Sequence, residues 1–255
     1  MADEKKKVLI TGASGLIGGV LHEGLSDKYQ ISGVDRHTIQ DFDLLVADST
    51  DLDSIQPAFE GKDVVIDLAS SPSDKIPWET AYKNNVQCTY NALQAASEAG
   101  VKRLIFASSN HVTGMYENDL PFSNIVAGRY DGLDPQSIPR IEATWPVRPD
   151  GPYGIVKAFG EAAGRYFSDE FGLSIICLRI GTLNSDSRPQ SPRHFATLLT
   201  HRDLVHLVDM CIQASDELEF AIFYGVSNNT WRFWDISNSE KLIGYQPQDN
   251  AEQWR

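Results

Sequence analysis

The sequence predicts an α/β fold in which a mainly parallel, doubly wound sheet is covered by helices on both faces. Short apolar runs rich in β-branched residues alternate along the chain with stretches of helical period. The runs are continuously apolar, which is typical of parallel strands that are buried on both faces. These runs lie at residues 7–11, 29–35, 43–48, 63–69, 103–109, 174–180 and 220–226.

Helical patterns fill the gaps between the apolar runs. They lie near residues 15–25, 53–59, 78–99, 153–170 and 202–214. Segment 117–151 breaks this rhythm, because it carries several prolines and glycines and little periodicity. A segment of this length in a compact domain is usually functional or mobile. We expect one domain over residues 1–255, in which segments 117–151 and 182–255 cover a substrate.

Composition narrows the classes of partner. The chain has 255 residues and a formal net charge of -13. Because binding to nucleic acid needs an excess of Lys and Arg, we expect no nucleic-acid partner. No apolar run approaches the length of a signal sequence or a membrane span, so we expect a cytoplasmic protein without a membrane partner. Cys88, Cys177 and Cys211 are widely separated and form no CxxC pair, which predicts buried, reduced thiols.

A glycine-rich turn follows the first strand. The stretch "TGASGLIGG" places Gly12, Gly15 and Gly18 in a G-x-x-G-x-x-G pattern that opens the first helix. Small residues there let backbone amides and a helix N-terminus approach a pyrophosphate. Glycines alone also fit a tight turn without a ligand, but the order strand, turn, helix, strand favours a nucleotide. We expect the cofactor to be contacted by Gly12, Gly15, Leu16, Ile17 and Gly18.

Acidic residues at the next strand ends indicate which dinucleotide is bound. Asp35 ends the second strand about 20 residues after the glycines, where a carboxylate binds an adenosine ribose diol and repels a 2'-phosphate. This favours NAD over NADP, although Arg36 beside it would soften the preference. Asp48 and Ser49, after the third strand, are candidates for contact with the adenine edge or are simply a solvated strand end.

A tyrosine and a lysine form the second motif. Tyr153 and Lys157 are i and i+4 neighbours on a predicted helix, so the ammonium can favour the ionised phenol, which is otherwise a poor base. A YxxxK match alone is common and is mostly explained by packing. Here it follows both a cofactor turn and the stretch "FASSNHVTG", which places Ser109 at the end of a strand.

These motifs together carry a family resemblance. "TGASGLIG", "ASSNHVTG", "RPDGPYGIVKAFGE" and "LRIGT" resemble extended short-chain dehydrogenases/reductases of the NAD-dependent epimerase/dehydratase superfamily. With "THRDLVHL", "YGVSNN" and "LIGYQPQDNAE", the whole chain resembles uronate dehydrogenases and haloarchaeal NAD-dependent glucose-6-phosphate dehydrogenases. The resemblance implies a Rossmann-type doubly wound parallel sheet with a small C-terminal substrate-binding portion, and NAD as cofactor.

The resemblance also implies residue roles. Tyr153 would be the catalytic acid/base, Lys157 would favour its phenolate and hold the nicotinamide ribose, and Ser109 would hydrogen-bond the reacting oxygen. Asp67 stands where the family usually has histidine, and Cys88 where it usually has glycine. Further cofactor contacts are implied for Leu68, Ala69, Ser70, Asn85 and Ile180.

Substrate contacts are implied less specifically. Asn110 and His111 would face sugar hydroxyls, and Ser73 would line the other side of the pocket. Arg193, assisted by His194, would bind a carboxylate or a phosphate equally well, unless it is a surface arginine. The arginines of segment 117–151 favour a phosphate slightly; they are Arg129, Arg140 and Arg148.

The function predicted from the sequence is an NAD-dependent aldose 1-dehydrogenase acting on an anionic monosaccharide, either a hexuronate or a hexose 6-phosphate. The alternatives are a small NAD-dependent sugar epimerase or reductase and a non-catalytic nucleotide sensor. A hydrolase using Ser109 and His111 is disfavoured, because no G-x-S-x-G elbow surrounds the serine. The predicted helices at 78–99 and 153–170 resemble those that pair between subunits in this superfamily. The resemblance therefore implies a homo-oligomer.

Overall fold

One parallel sheet organises the chain. The computed structural model describes residues 4–40, 42–71 and 75–255. Within these ranges the strands are β1 Lys7–Thr11, β2 Gln30–Asp35, β3 Leu44–Val46, β4 Val64–Asp67, β5 Arg103–Ser109, β6 Ser174–Ile180 and β7 Phe220–Gly225. They pair in the order β3-β2-β1-β4-β5-β6-β7, which confirms the predicted fold class.

The predicted helical segments are also present. The α-helices in the described ranges are α1 Leu16–Leu25, α2 Leu52–Phe59, α3 Trp78–Thr80, α4 Gln87–Glu98, α5 Phe122–Val126, α6 Pro152–Phe171, α7 His194–Thr197, α8 His201–Gln213 and α9 Ser237–Ile243. A π-helical turn, Ala81–Val86, joins α3 to α4, and 3-10 helices cover Asn110–Asn118 and Ala251–Trp254. Helices α5, α7 and α9 were not predicted, because helices this short contain too few residues for a recognisable hydrophobic periodicity.

The strand order reverses at β1. This strand pairs with β2 on one side, where Thr11 lies opposite Val34, and with β4 on the other, where Thr11 lies opposite Asp67. The connections from β1 therefore leave in opposite directions, which opens a crevice at the carboxyl ends of the strands. Ligands of open α/β sheets bind at such switch points.

Apolar side chains cover both faces of the sheet. On one face, Ile10 of β1 packs in a cluster with Leu21 of α1 and Leu204 of α8. On the other, Leu9 packs in a cluster with Phe59 of α2 and Phe167 of α6. Because neighbouring residues of each central strand are buried on opposite faces, the strands have the continuous apolarity seen in the sequence.

Segment 117–151 is anchored to the body of the protein. Ile125, Ile138 and Ile141 are buried in the same core cluster as β6 and β7. Ile141 also forms a parallel bridge with Trp234, and its N–H donates to the carbonyl of Phe233 at 2.8 Å. Segment 117–151 thus contributes buried side chains to the core and pairs with the C-terminal part of the chain.

A buried ion pair ties α6 to the sheet. Arg179 of β6 donates from Nε and Nη2 to the two carboxylate oxygens of Glu161, each at 2.8 Å, and Ser108 of β5 donates to the same carboxylate at 2.6 Å. Nη1 of Arg179 donates to the hydroxyl of Tyr224 at 3.1 Å and to the carbonyl of Ala143 at 3.3 Å. Both charged side chains are almost fully buried, so each depends on the other for compensation.

Two further expectations can be compared with the structure. Cys88, Cys177 and Cys211 are buried and free, as predicted. Over the described ranges, no helix has the length and apolar character needed to cross a membrane.

Replacing Glu161 with Gln should lower the free energy of unfolding by about 3–5 kcal/mol, because it leaves the buried Arg179 charge without its counterion. The matched control is Asp169→Asn on the same helix, which removes an exposed pair with Arg165 and should cost about 0–1 kcal/mol. Urea unfolding of both variants measures the difference. Equal losses would contradict this reading.

Candidate active site

A cavity of ≈ 750 Å³ opens at the carboxyl ends of the strands, where the strand order reverses. Its lining at one end includes Gly12, Asp35 and Asp48, and at the other end Ser109, Tyr153 and Arg193. Of the sequence-predicted site residues, twenty line it: Gly12, Gly15, Leu16, Ile17, Gly18, Asp35, Arg36, Asp48, Ser49, Leu68, Ala69, Ser70, Ser109, Asn110, His111, Tyr153, Lys157, Ile180, Arg193 and His194.

The glycines of the turn after β1 let its backbone approach other backbone segments closely. Gly12 has φ +65, and a Cβ there would lie 2.9 Å from the carbonyl carbon of Leu68. A Cβ on Gly18 would lie 2.3 Å from the carbonyl oxygen of Ala13. Gly15 is the N-cap of α1, so the first N–H groups of that helix have no partner within it. This cradle suits an anionic group such as a pyrophosphate.

Asp35 presents an ionised carboxylate at the end of β2. Its Oδ2 accepts from the N–H of Ser14 at 2.9 Å, and its Oδ1 accepts from the N–H of His37 at 3.0 Å. Burial raises the pKa of Asp35, but the hydrogen bonds from Ser14 and His37 more than offset this and leave the pKa below its usual value. The ring Nδ1 of His37 also lies 3.2 Å from Oδ1. A carboxylate has about four acceptor sites, so Asp35 can still accept from a ribose diol.

The neighbouring polar residues are organised by local bonds. Asp48 Oδ1 accepts from the N–H and hydroxyl of Thr50, both at 2.9 Å, and the backbone bond is the main cause of its lowered pKa. The carbonyl of Ser49 accepts from the side chain of Asn91 at 2.9 Å. Arg36 also faces this end of the cavity.

Asn85 is not among the described residues that line the cavity. The Asn85 amide turns to the backbone of Ser71, accepting from its N–H at 2.8 Å and donating to its carbonyl at 3.3 Å. It therefore supports the cavity wall, while Asn84 lines the cavity. Ser73 lies outside the described residues.

Close packing of α6 positions the Tyr–Lys pair. A Cβ on Gly154 would lie 2.3 Å from the carbonyl oxygen of His111, so only glycine lets α6 start this close to the segment after β5. Lys157 is buried, and its Nζ donates to the hydroxyl of Ser70 at 3.3 Å. Nζ lies 5.5 Å from the centre of the Tyr153 ring, so the ammonium and phenol are neighbours as the spacing predicts.

Ser109 and the two residues after it form the opposite wall. Ser109 Oγ accepts from the N–H of His111 at 3.2 Å and donates to Asn110 Oδ1 at 3.2 Å, while Asn110 Nδ2 is buried without a partner among the described residues. Nδ1 of His111 lies 2.7 Å from a carboxylate oxygen of Asp150. Because a carboxylate is the acceptor, Nδ1 carries the proton. The serine therefore contacts the histidine backbone, which offers no support for a hydrolase.

Arg193 is held by groups that the sequence analysis did not identify. It donates from Nε and Nη2 to the carboxylate of Glu117 at 2.6 and 2.7 Å, and from Nη1 to the hydroxyl of Thr182 at 3.0 Å. His194 also lines the cavity, and its Nδ1 accepts from the N–H of Gln190 at 3.0 Å. Burial, and then the charge of Arg193, lower the pKa of His194, so this imidazole is neutral at pH 7.

The arginines of segment 117–151 do not belong to the described lining of the cavity. Arg129 donates to the side chain of Asn124, Arg140 to the carbonyl of Pro135, and Arg148 pairs with Asp119. These three arginines therefore do not support the prediction of a phosphate substrate. These arginines hold turns of their own segment.

Asp67 is a buried acid beneath the cavity floor. Its Oδ1 accepts from the hydroxyl of Thr11 at 2.6 Å, and its Oδ2 has no partner among the described residues. The same hydroxyl accepts from the N–H groups of Leu68 and Ala69, each at 3.2 Å. Burial raises the pKa of Asp67 to about 6, although the Thr11 bond and the charge of Lys157 both lower it.

A profile of the NAD dependent epimerase/dehydratase family matches residues 8–206. The chain belongs to this family. It is 34% identical to NAD-dependent glucose-6-phosphate dehydrogenase of Haloferax volcanii, over 97% of this chain and 95% of the relative. L-arabinose 1-dehydrogenase (NAD(P)(+)) of the same organism is 31% identical, over 96% and 97%.

A solved structure agrees with these sequence relatives. The crystal structure of uronate dehydrogenase from Agrobacterium tumefaciens has a TM-score of 0.83 and 30% identity to this chain, covering 98% of this chain and 87% of that one. The resemblance inferred from the motifs is thereby confirmed.

Asp67→Asn should change how stability depends on pH. Because the folded-state pKa of Asp67 is raised from 3.8 to about 6, the unfolded chain releases this proton first as pH rises. The wild type therefore loses about 2 kcal/mol between pH 4 and 7 from this group alone, and the variant does not. Urea unfolding at both pH values measures this. A wild-type-to-variant difference that stays constant with pH would contradict the prediction.

Proposed function

We propose that the chain is an NAD-dependent aldose 1-dehydrogenase that oxidises the anomeric carbon of a monosaccharide to a lactone. The observation that carries the proposal is the convergence of Ser109, Tyr153 and Lys157 on one cavity with the glycine turn and Asp35. Named relatives that oxidise sugars, at 31–34% identity over nearly the full chain, support it further.

The cavity fits NAD at its glycine-turn end. Gly12 and Gly18 leave room for backbone contact, the start of α1 offers N–H groups to a pyrophosphate, and the Asp35 carboxylate offers acceptors to a ribose diol. That negative charge disfavours NADP, and Arg36 at the same edge reduces the discrimination. When bound, NAD accepts the hydride that leaves the anomeric carbon.

The protein's own groups handle the proton. The anomeric hydroxyl binds between Ser109 and Tyr153, where Tyr153 as phenolate takes its proton while Ser109 hydrogen-bonds the same oxygen. The Lys157 ammonium, 5.5 Å from the centre of the phenol ring, stabilises the phenolate. Loss of the hydroxyl proton and of the hydride from the same H–C–O–H unit leaves the lactone carbonyl.

Other groups recognise the rest of the sugar. Asn110 Nδ2, which is buried and unpartnered among the described residues, can donate to a ring hydroxyl. The Asp150 carboxylate fixes the proton of His111 on Nδ1, so Nε2 is left as a second contact. We propose an anionic monosaccharide, a hexuronate or a hexose 6-phosphate, because Arg193 lines this end of the cavity.

Initial rates of NAD reduction with D-glucuronate, D-galacturonate, D-glucose 6-phosphate, D-glucose and L-arabinose test the proposal. The wild type should oxidise at least one aldose, and faster with NAD than with NADP. Tyr153→Phe should lose nearly all turnover, by about 10²-fold or more, because the proton acceptor is gone. Its affinity for NAD should stay within a few-fold of wild type.

The control for Tyr153→Phe is Asp169→Asn, which alters an exposed residue of the same helix outside the described cavity lining and should change neither turnover nor NAD affinity. Bound NAD without net reduction by any aldose would contradict the dehydrogenase. An epimerase would then interconvert sugars without NADH accumulating, and a sensor would respond to Tyr153→Phe no more than to the control.

We also propose a cytoplasmic homo-oligomer. Helices α4 and α6 pack together, and with the π-helical turn before α4 they expose several aromatic and aliphatic side chains: Tyr82, Tyr90, Ile155, Phe159, Tyr166 and Phe171. An apolar surface of this kind is typical of a subunit interface. Light scattering of the purified chain should give a multiple of 28.3 kDa, and a monomeric mass at micromolar concentration would contradict the proposal.

A further inference from the structure

The pairing of Arg193 with Glu117 bears on the charge of the substrate. Glu117 lies near the end of the 3-10 helix Asn110–Asn118, and Arg193 is the N-cap residue of α7. The two side chains meet in a two-pronged contact, with Nε and Nη2 each within 2.7 Å of a carboxylate oxygen. They connect the segment that carries His111 to the segment that follows β6.

The contact lies at the border of the cavity. Arg193 is among the residues that line it, whereas Glu117 is not part of the described lining. The Glu117 side chain is 13% exposed and that of Arg193 is 28% exposed. The carboxylate therefore contacts a cavity-lining guanidinium without itself belonging to the described lining, and its low exposure reduces the screening of its charge by solvent.

Carboxylates lie beside two of the basic side chains at this end of the cavity. His111 has Asp150 at 2.7 Å, and Arg193 has Glu117. His194, the other basic group beside Arg193, has a lowered pKa and adds no charge at neutral pH. A sugar anion that enters meets an arginine whose charge is already largely balanced.

This inference rests on the proposed function and concerns the substrate class of the same site. We propose that Glu117 is the specificity-determining residue for substrate charge. An anionic group bound to Arg193 lies within a few ångströms of the Glu117 carboxylate and is repelled by it, whereas a neutral aldose is not. Glu117 thus reduces the preference for sugar acids and sugar phosphates and lets neutral aldoses compete.

Glu117→Gln is the variant that tests this role. Glutamine keeps the shape and one acceptor for Arg193 but removes the negative charge. The ratio of kcat/KM for D-glucose 6-phosphate to that for D-glucose should rise about 10-fold, and so should the ratio for D-glucuronate to L-arabinose. The change should appear as a lower KM for the anionic sugars.

Asp119→Asn is the matched control. It removes one negative charge two residues away, from a carboxylate that pairs with Arg148 and is not part of the described cavity lining. Both ratios should stay within about 2-fold of wild type, because exposed charges are screened by solvent and salt. A change equal to that of Glu117→Gln would mean that total charge is the cause, and would overturn the proposal.

A binding measurement separates this inference from the proposed function. Calorimetric titration of D-glucose 6-phosphate into NAD-saturated Tyr153→Phe protein, with and without Glu117→Gln, needs no turnover. The added Glu117→Gln change should tighten binding about 10-fold. The proposal is overturned if the anion binds equally or more weakly, because Glu117 would then have no effect or would mainly hold Arg193 in place.

Failure of the proposed function has a different signature. If wild type oxidises no aldose but Glu117→Gln still tightens binding of the sugar phosphate, the charge role of Glu117 stands and the dehydrogenase does not. If wild type oxidises aldoses but neither the ratios nor the binding change, the dehydrogenase stands and the role of Glu117 is wrong.

Discussion

The buried contact among Glu161, Arg179 and Ser108 is the constraint on which the site depends. Glu161 lies one helical turn after Lys157, Ser108 directly precedes Ser109, and Arg179 directly precedes Ile180. One carboxylate thus fixes α6 relative to β5 and β6, immediately beneath the residues that face the cavity. Because an unpaired charge at this depth is costly, the three elements are held in one arrangement.

The three parts of the cavity differ in the charged groups that they present. At the glycine turn the protein supplies backbone N–H groups and an ionised Asp35, which suit a dinucleotide. In the middle the ammonium of the buried Lys157 neighbours the Tyr153 ring, and its charge lowers the pKa of the buried acid Asp67. At the far end Arg193 and His111 each have a carboxylate neighbour. The cavity thus combines strong local fields with little net charge where a sugar would bind.

Much of this arrangement could be predicted from the sequence. Continuous apolar runs identified every strand of the described sheet, and the glycine spacing and Tyr153–Lys157 pair identified two walls of the cavity. The partners of the site residues could not be predicted, because they are distant in sequence: Glu117 is 76 residues from Arg193, and Asp150 is 39 from His111. Carboxylates in an irregular segment have no periodicity that indicates their contacts.

The measurement that tests the account most directly follows the hydrogen on the anomeric carbon. D-glucose 6-phosphate, D-glucuronate and D-glucose, each deuterated at C1, would be incubated with the protein and NAD, and the resulting NADH analysed by mass spectrometry. Oxidation at the anomeric carbon predicts that the deuterium appears in the NADH and that the sugar product is the lactone or the acid formed by its hydrolysis. NADH that forms without deuterium would contradict it, because oxidation would then occur at another carbon.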